Sequence, residues 1–407
     1  MNLDDRAMPG SSPIQELLDR AAESLGRPIE QARGLPNEAF TTEAFLEAEN
    51  QRLFPRCWVF VGVASDVPNP GDAMPASVAG RNLFLLRGAD GEVRVFHNVC
   101  PHRGARLVPV PLSGKQYITC PYHGWSFNLD GEVASRPHYF GPESHDRTGI
   151  HEDERACLFP VRSEAMLDWV FVNLDGQAAP FADDMGPITD CFADFDLTAF
   201  ERDPTLNMSV EFRCNWKLAV ENFHDYYHVF KVHPTLHKVM VGNRRHSMES
   251  DGLHLFNGYW FTGETLGLSL DDSGPTLPLL PDLPKDLHAR HIHAHVFPNV
   301  EITYFPSNLQ ITWFEALGAD RTRMHMLFYF VGDAATDDAH REARETLYED
   351  WIALNAEDEG VCALVQEGRA GDAYDGGRLV AYWDTSTVHY QKQVVDVMRG
   401  VGAFARA

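Results

Sequence analysis

The 407-residue sequence lacks any long apolar run. Its longest uninterrupted stretches, such as Val59–Ala64, are strand-sized, far short of the roughly 18–20 residues of a membrane-spanning helix. It also lacks positive charge: 34 Lys and Arg stand against 59 Asp and Glu, a formal net charge of −25. Nucleic-acid binding and adhesion to an anionic membrane both ask for the opposite balance. An acidic surface serves solubility first, and it can also steer a basic redox partner. Cysteine is scarce and odd in number, at seven. Met1–Gly10 carries two Asp and no apolar core, so a secretory signal is not expected there and a cytoplasmic protein is. In that setting a disulfide framework is disfavoured, and metal binding or plain buried thiols are the better readings. No glycine-rich dinucleotide fingerprint follows a strand, so no flavin or nicotinamide site is expected in this chain. Internal repeats and low-complexity tracts are absent as well.

What remains is an ordinary globular composition, 44% apolar and 11% aromatic, in a length that suits two domains or three. Ile14–Leu25 is amphipathic, and Phe40, Phe45, Leu46 and Leu53 recur at helical spacing, so residues 1–54 form a helical lead-in. From residue 57 the pattern changes to short strand-like runs (58–63, 83–86, 93–97, 117–119 and 125–129) separated by turn signals such as Pro68-Asn-Pro-Gly71 and Asp130-Gly131. This predicts a β domain over 55–160. The rest, 161–407, mixes strands at 169–174, 206–214, 254–261, 291–297, 300–305, 309–317 and 323–331 with helices over 218–232 and 337–367. Residues 262–290, rich in Gly, Pro, Leu and Asp, read as a long irregular insertion over a pocket.

Two strings carry chemistry. The first is Cys100-Pro-His102-Arg-Gly followed by Cys120-Pro-Tyr-His123-Gly-Trp. Each half places a Cys, a His and a Gly on a loop beside a strand, and two such loops can pinch a metal centre between them. Two thiolates and two imidazoles suit tetrahedral zinc. They equally suit a [2Fe–2S] cluster with both His on one iron, and the Gly residues let backbone N–H groups approach the sulfur. The second string runs from Asn215-Trp-Lys217 through Glu221-Asn222, Asp225 and His228 to His233-Pro234. On a helix, Glu221, Asp225 and His228 share a face. Pro234 disfavours helical geometry at residue 233, so the helix loosens and His233 can swing toward the same metal. Two His and a carboxylate with open positions form the facial triad of non-haem iron oxygenases, although His-x4-His alone reads equally as a polar helix face.

The first string, C-x-H then C-x-x-H with 17 residues between, resembles the Rieske motif. Respiratory Rieske domains carry an extra Cys in each loop. Ala105 and Tyr122 stand at those positions here, which is more like oxygenases and their ferredoxins. With the second string downstream, the chain is identified as a member of the Rieske non-haem iron oxygenase large subunits, the aromatic-ring-hydroxylating dioxygenase family. The resemblance implies an α+β protein, a Rieske β-sandwich joined to a START-like helix-grip domain with a curved antiparallel sheet. It implies a [2Fe–2S] cluster on Cys100, His102, Cys120 and His123, and a mononuclear Fe(II) on His228, His233 and an acidic residue eight positions before a Gln. Asp358, before Gln366, fits that place, and Glu357 and Glu359 are its rivals. Asp225 resembles a bridging carboxylate between a ligand His and the cluster His123 of a neighbouring subunit, and Asn222 a residue beside the open face of the iron.

The same resemblance implies electrons from NAD(P)H through a reductase, with or without a ferredoxin, and a homotrimer with or without a small β subunit. Asp225, rather than Glu, points to hydroxylation of an aromatic substrate, carboxylated or not. The alternative is a monooxygenase that demethylates a quaternary ammonium compound of betaine or carnitine type, and a remoter one is a non-catalytic electron carrier. His291, His293 and His295 share one strand face and read as a second metal site or a polar cavity wall. Tyr259, Trp260, Tyr304, Phe305 and Trp313 are candidates for core or cavity, and Arg244-Arg245 for a substrate carboxylate. The five further cysteines, Cys57, Cys157, Cys191, Cys214 and Cys362, are expected as buried apolar thiols.

Overall fold

A computed structural model describes residues 12–144, 156–240, 246–247, 252–261 and 276–404. Arg244-Arg245, the Tyr259 side chain, residues 1–11 and the 262–275 part of the expected insertion lie outside the described residues. The chain divides into two compact units, Phe54–Asp184 and a larger one formed by Met1–Leu53 with Met185–Ala407.

The smaller unit is antiparallel β. Strands β1 (Val59–Val63), β2 (Ala73–Val78), β3 (Arg81–Arg87) and β4 (Val93–His97) are followed by a small sheet of β5 (Ile118–Thr119), β6 (Ser126–Phe127) and β7 (Val133–Ser135). Then β8 (Pro160–Met166) and β9 (Trp169–Asn173) return to the large sheet, whose order is β1-β9-β8-β4-β3-β2. The boundary expected at residue 160 therefore moves to 184. β8 pairs with β4 and β9 pairs with β1, so a unit ending at 160 would leave two ladders open. Every residue of β9 is buried, which explains its continuous apolar run. Helix α4 (Phe181–Asp184) closes this unit, and Phe181 packs edge-on against Trp58 at 5.1 Å.

The larger unit opens with α1 (Pro13–Leu25), α2 (Glu38–Thr41) and α3 (Glu43–Arg52). Ser12 caps α1, with Pro13 at its first position, where a missing N–H costs nothing. Thr42 caps α3. These helices are held by residues far along the chain. Leu18, Phe40, Phe45 and Leu53 are fully or almost fully buried, each contributing roughly 1.5–3 kcal/mol. The Leu35 N–H donates to Gln391 at 2.8 Å. Glu49 accepts from Trp216 at 2.9 Å and pairs with Lys217 at 2.6 Å, both charges fully buried.

A seven-stranded antiparallel sheet follows: β10 (Phe200–Phe212), β11 (His246–Ser247), β12 (Leu255–Trp260), β13 (Arg290–Val296), β14 (Val300–Phe305), β15 (Asn308–Gly318) and β16 (Arg321–Val331), in the order β10-β16-β15-β14-β13-β12-β11. Short α5 (Gly186–Cys191) precedes it. Between β10 and β11 come α6 (Trp216–His224), α7 (Val229–Val232) and α8 (Pro234–Val239); after the sheet come the 29-residue α9 (Arg341–Arg369) and α10 (Thr385–Arg399). Helices α6 and α9 pack on each other and on the sheet. This is the α+β antiparallel architecture expected.

One expected element breaks. The helix over 218–232 stops at His224 and resumes at Val229. Asp225 leaves helical geometry, with ψ 113°, and its carboxylate accepts the Tyr227 N–H at 2.6 Å. An Asp that satisfies a backbone donor two residues on competes with the helix ladder.

Candidate metal centres and cavity

The two loops of the smaller unit are built alike. The Cys100 N–H donates to the Ala105 carbonyl at 2.8 Å, and the Gly104 N–H donates to the Cys100 carbonyl at 3.0 Å. The Cys120 N–H donates to the Trp125 carbonyl at 2.7 Å, and the Gly124 N–H to the Cys120 carbonyl at 3.1 Å. Both closing glycines are left-handed, with φ 74° and 71°, a conformation that other residues adopt at a cost. Each Cys is thus fixed by backbone rather than by side-chain packing.

The four donors sort by kind. The Cys100 and Cys120 thiols are within hydrogen-bonding reach of each other, and the His102 and His123 rings lie 4.7 Å apart. Among the described residues, two sets of three or more donors have all their atoms within 4.8 Å of one another, and neither includes this quartet. A single zinc would draw all four donors to one point, about 3–4 Å apart. A two-iron cluster asks for a sulfur pair and an imidazole pair, and the arrangement fits that demand. The Nδ1 atom of His123 is buried without a hydrogen-bond partner, as a ligand nitrogen would be. Burial pushes the Cys100 thiol up, partly offset by the His102 and Arg103 N–H groups aimed at its sulfur. Trp125 stacks on His102, 4.7 Å away and 3° from parallel.

In the larger unit, the turn after α6 and the start of α8 bring His228 and His233 against Asp358 on α9. His233 Nε2 lies 2.8 Å and His228 Nε2 3.4 Å from the same Asp358 oxygen, Oδ1. These three form one of the two donor sets. Their outward nitrogens meet carboxylates in turn: His228 Nδ1 faces Asp225 at 3.4 Å, and His233 Nδ1 meets Glu357 at 2.7 Å. The charge pattern is strong. Burial disfavours charge on His228, but Asp225 and Asp358 outweigh it and raise the imidazole to about 9. Burial likewise works against the Asp358 carboxylate, yet His228 and His233 hold it at about 2. Imidazoles and a carboxylate poised in this way around one point suit a divalent cation, which takes the place of the shared protons. The two rivals of Asp358 sit elsewhere. Glu359 pairs with Arg213 at 2.7 Å, and Glu357 stands behind His233. Sequence reading weighed Glu357 only as a ligand; its adjacency to Asp358 was the signal for an orienting role.

A cavity of about 610 Å³, counting its open mouth, lies at this cluster. Phe223, Tyr226, Phe261, Phe305 and Trp351 wall it, and Asn222, Asp225, His291, His293 and Thr303 add polar groups. The period of two explains which aromatics reach it. Phe305 shares a face with Thr303, whereas Tyr304 points the other way, into Phe192, Phe195 and Phe200. Trp313 stacks on His325, and Trp260 lies 3.9 Å from the Arg290 guanidinium. Asn222 and Asp225 also line a second, more polar cavity of about 780 Å³ on the far side of α6. Among the five further cysteines, Cys57, Cys214 and Cys362 are buried, whereas Cys157 and Cys191 are partly exposed.

Known proteins with these features fall into a consistent group. The Rieske [2Fe–2S] domain family matches residues 57–141, and the ring-hydroxylating alpha subunit (catalytic domain) family matches residues 200–400. The carnitine monooxygenase oxygenase subunit of Acinetobacter pittii (strain PHEA-2) is 32% identical over 206 residues, 49% of this chain and 52% of that protein. The chain thus spans about half the length of the curated relatives it matches. A solved quaternary ammonium Rieske monooxygenase superposes with a TM-score of 0.76 at 22% identity, covering 93% of this chain and 98% of its own. Naphthalene 1,2-dioxygenase from Rhodococcus sp. superposes with a TM-score of 0.73 at 17% identity, covering 94% and 97%. At these identities the two structures share the fold and do not separate an amine substrate from an arene.

Proposed function

Because the chain belongs to the Rieske non-haem iron oxygenase large subunits, with both their Rieske and their catalytic domain, we propose that it is a terminal oxygenase acting on a quaternary ammonium compound. This replaces the aromatic substrate expected from Asp225. The observation that carries it is the cavity wall: five aromatic rings, the carboxylates of Asp225 and Asp358, and no Lys or Arg among its described lining residues. Ring faces attract a desolvated cation by about 0.5–2 kcal/mol each. A carboxylated arene would find no Lys or Arg among the described lining residues to pair with its carboxylate. The sequence likeness to a carnitine monooxygenase subunit points the same way.

In this reading Cys100, His102, Cys120 and His123 hold the [2Fe–2S] cluster, and His228, His233 and Asp358 hold the mononuclear iron. When bound, the iron supplies oxygen activation and the cluster supplies electrons singly. The chain's own residues do the rest. Asp225 and Glu357 fix the two imidazoles so that each presents Nε2 inward. The ring wall orients the ammonium head and excludes water from it. The break after α6 leaves Asp225 facing both cavities, where it orients His228 and stands on the electron route from His123 of a neighbouring copy. A separate reductase supplies the electrons. Hydroxylation of a carbon next to N⁺ gives a carbinolamine that collapses to an amine and an aldehyde. Overall, substrate, O₂, two electrons and two protons yield aldehyde, the amine carrying one proton, and water.

The test is turnover of the iron-replete protein with hydrogen peroxide, which replaces O₂ and two electrons, against N-methylated amines, aromatic acids and neutral arenes. Amine with matching aldehyde is expected. A phenol or diol as the sole product would return the assignment to arenes.

A further inference from the structure

The second donor set of the larger unit lies outside the iron site: His224 at the end of α6, His295 on β13 and Glu301 on β14. All three are sealed, with exposures of 0%, 1% and 0%. Each offers one ligand atom, and all these atoms lie within 4.8 Å of one another. His295 Nδ1 is 2.8 Å from Glu301 Oε1, and His224 Nδ1 is 3.8 Å from the same oxygen. Ligands bound at 2.0–2.1 Å around a tetrahedral ion stand about 3.3 Å apart, midway between these values.

Two features set this cluster apart from an ordinary hydrogen-bonded histidine group. Both ring nitrogens of His224, and Nε2 of His295, are buried without any hydrogen-bond partner. Buried polar atoms are rarely left so, and an ion is one standard reason. In addition, Glu301 is a buried carboxylate whose partners among the described residues are imidazoles. Burial opposes its charge, yet His295 and His293 hold it ionised, while burial keeps His295 neutral. The cluster thus gathers imidazoles round one buried carboxylate, with no Lys or Arg among its described partners. His293 Nε2, which reaches Glu301 Oε2 at 2.8 Å from the cavity side, orients the carboxylate as an outer partner does.

We propose that His224, His295 and Glu301 bind a second divalent transition metal, of the zinc class, that clamps α6 to β13 and β14. Binding takes one lone pair from each neutral imidazole, the His295 proton moving from Nδ1 to the unpartnered Nε2, so the ion enters without net loss of a proton. Two imidazoles and a carboxylate favour Zn²⁺ over Fe²⁺ by intrinsic affinity, and a sealed site takes up its ion as the chain folds. The clamp fixes the helix end from which Asp225 departs. The proposal is independent of the substrate reading and of turnover.

The test uses the full-length protein with the iron site removed, His228→Ala/Asp358→Ala, produced in zinc-supplemented medium and dialysed against EDTA. Metal analysis is expected to give about one zinc per chain beyond the cluster iron. X-ray absorption is expected to show a nitrogen/oxygen shell with imidazole scattering and no sulfur. Adding His224→Gln should abolish that zinc while the cluster absorbance persists. Zinc below about 0.1 per chain, a sulfur-containing shell, or zinc retained in a folded His224→Gln variant would each overturn the proposal. If His224→Gln does not fold, the absorption shell of the parent variant decides alone.

Discussion

The two candidate metal regions place their donors in opposite ways. In the smaller unit, the donors hang on two near-identical turns whose backbone bonds and left-handed glycines set their positions. In the larger unit, the donors come from a broken helix and from α9, 125 positions apart between His233 and Asp358, and carboxylates behind the imidazoles set their aim. The first design is local and rigid. The second depends on tertiary packing and is open to tuning by charge.

That contrast can be tested, beginning where the effect is largest. Asp358→Ala removes the carboxylate that both imidazoles share. It is expected to abolish mononuclear metal binding and lower turnover at least about 10³-fold, with the cluster spectrum intact; metal analysis beside visible absorbance reads both. Asp225→Asn is next. It should keep both metals, yet cut turnover by more than the roughly 10–100-fold typical of an outer-shell loss. Single-turnover oxidation of the cluster at an unchanged rate would remove its role in electron transfer. Glu357→Gln is the control, since it touches the other imidazole in the same way. A drop of about 10-fold in iron affinity is expected, with cluster oxidation unaffected. Equal defects in the two variants would mean that Asp225 only orients.

Smaller effects probe the scaffold. Gly124→Ala should destabilise the smaller unit by about 1–2 kcal/mol through its left-handed backbone and reduce cluster loading, seen as lower absorbance per chain. The pH response should fall on the larger unit. Burial holds His291 well below its ordinary 6.5. Below pH 6.5 the unfolded chain takes up a proton that the folded chain refuses, so stability declines as pH falls, by up to about 1.4 kcal/mol per pH unit. Urea unfolding at pH 7.5 and 5.5 should show it, and His291→Gln should flatten the trend.

How much could be read from sequence follows the same division. Cys100, His102, Cys120 and His123 announce themselves because their geometry is encoded within six residues of each cysteine. The strands of the larger unit were legible from their patterns, β13 to β16 nearly to the residue. The break after α6 was not, although Asp225 itself held the clue. An apolar rhythm through 218–232 outweighed one side-chain bond to the Tyr227 N–H. Glu301 went unnoticed because a lone Glu in a strand has no spacing to betray it; only the pairing of β13 with β14 sets it beside His295. The substrate preference drawn from Asp225 gives way to the proposed amine reading for a related reason. One carboxylate says little about the rings and charges that the fold gathers round it.

The division of the chain also has a consequence in time. Residues 54–184 are synthesised before any of the residues from 185 onward that share a unit with the first 53. Leu35 waits for Gln391, 356 positions later, which at about 5–20 residues per second is roughly 20–70 s. During that interval the cluster-bearing unit can complete its turns and take up iron and sulfide on the ribosome. The apolar faces of α1 to α3 are covered in stages, as α6, α9 and then α10 emerge. The start of the chain is therefore the part whose apolar faces wait longest for their cover.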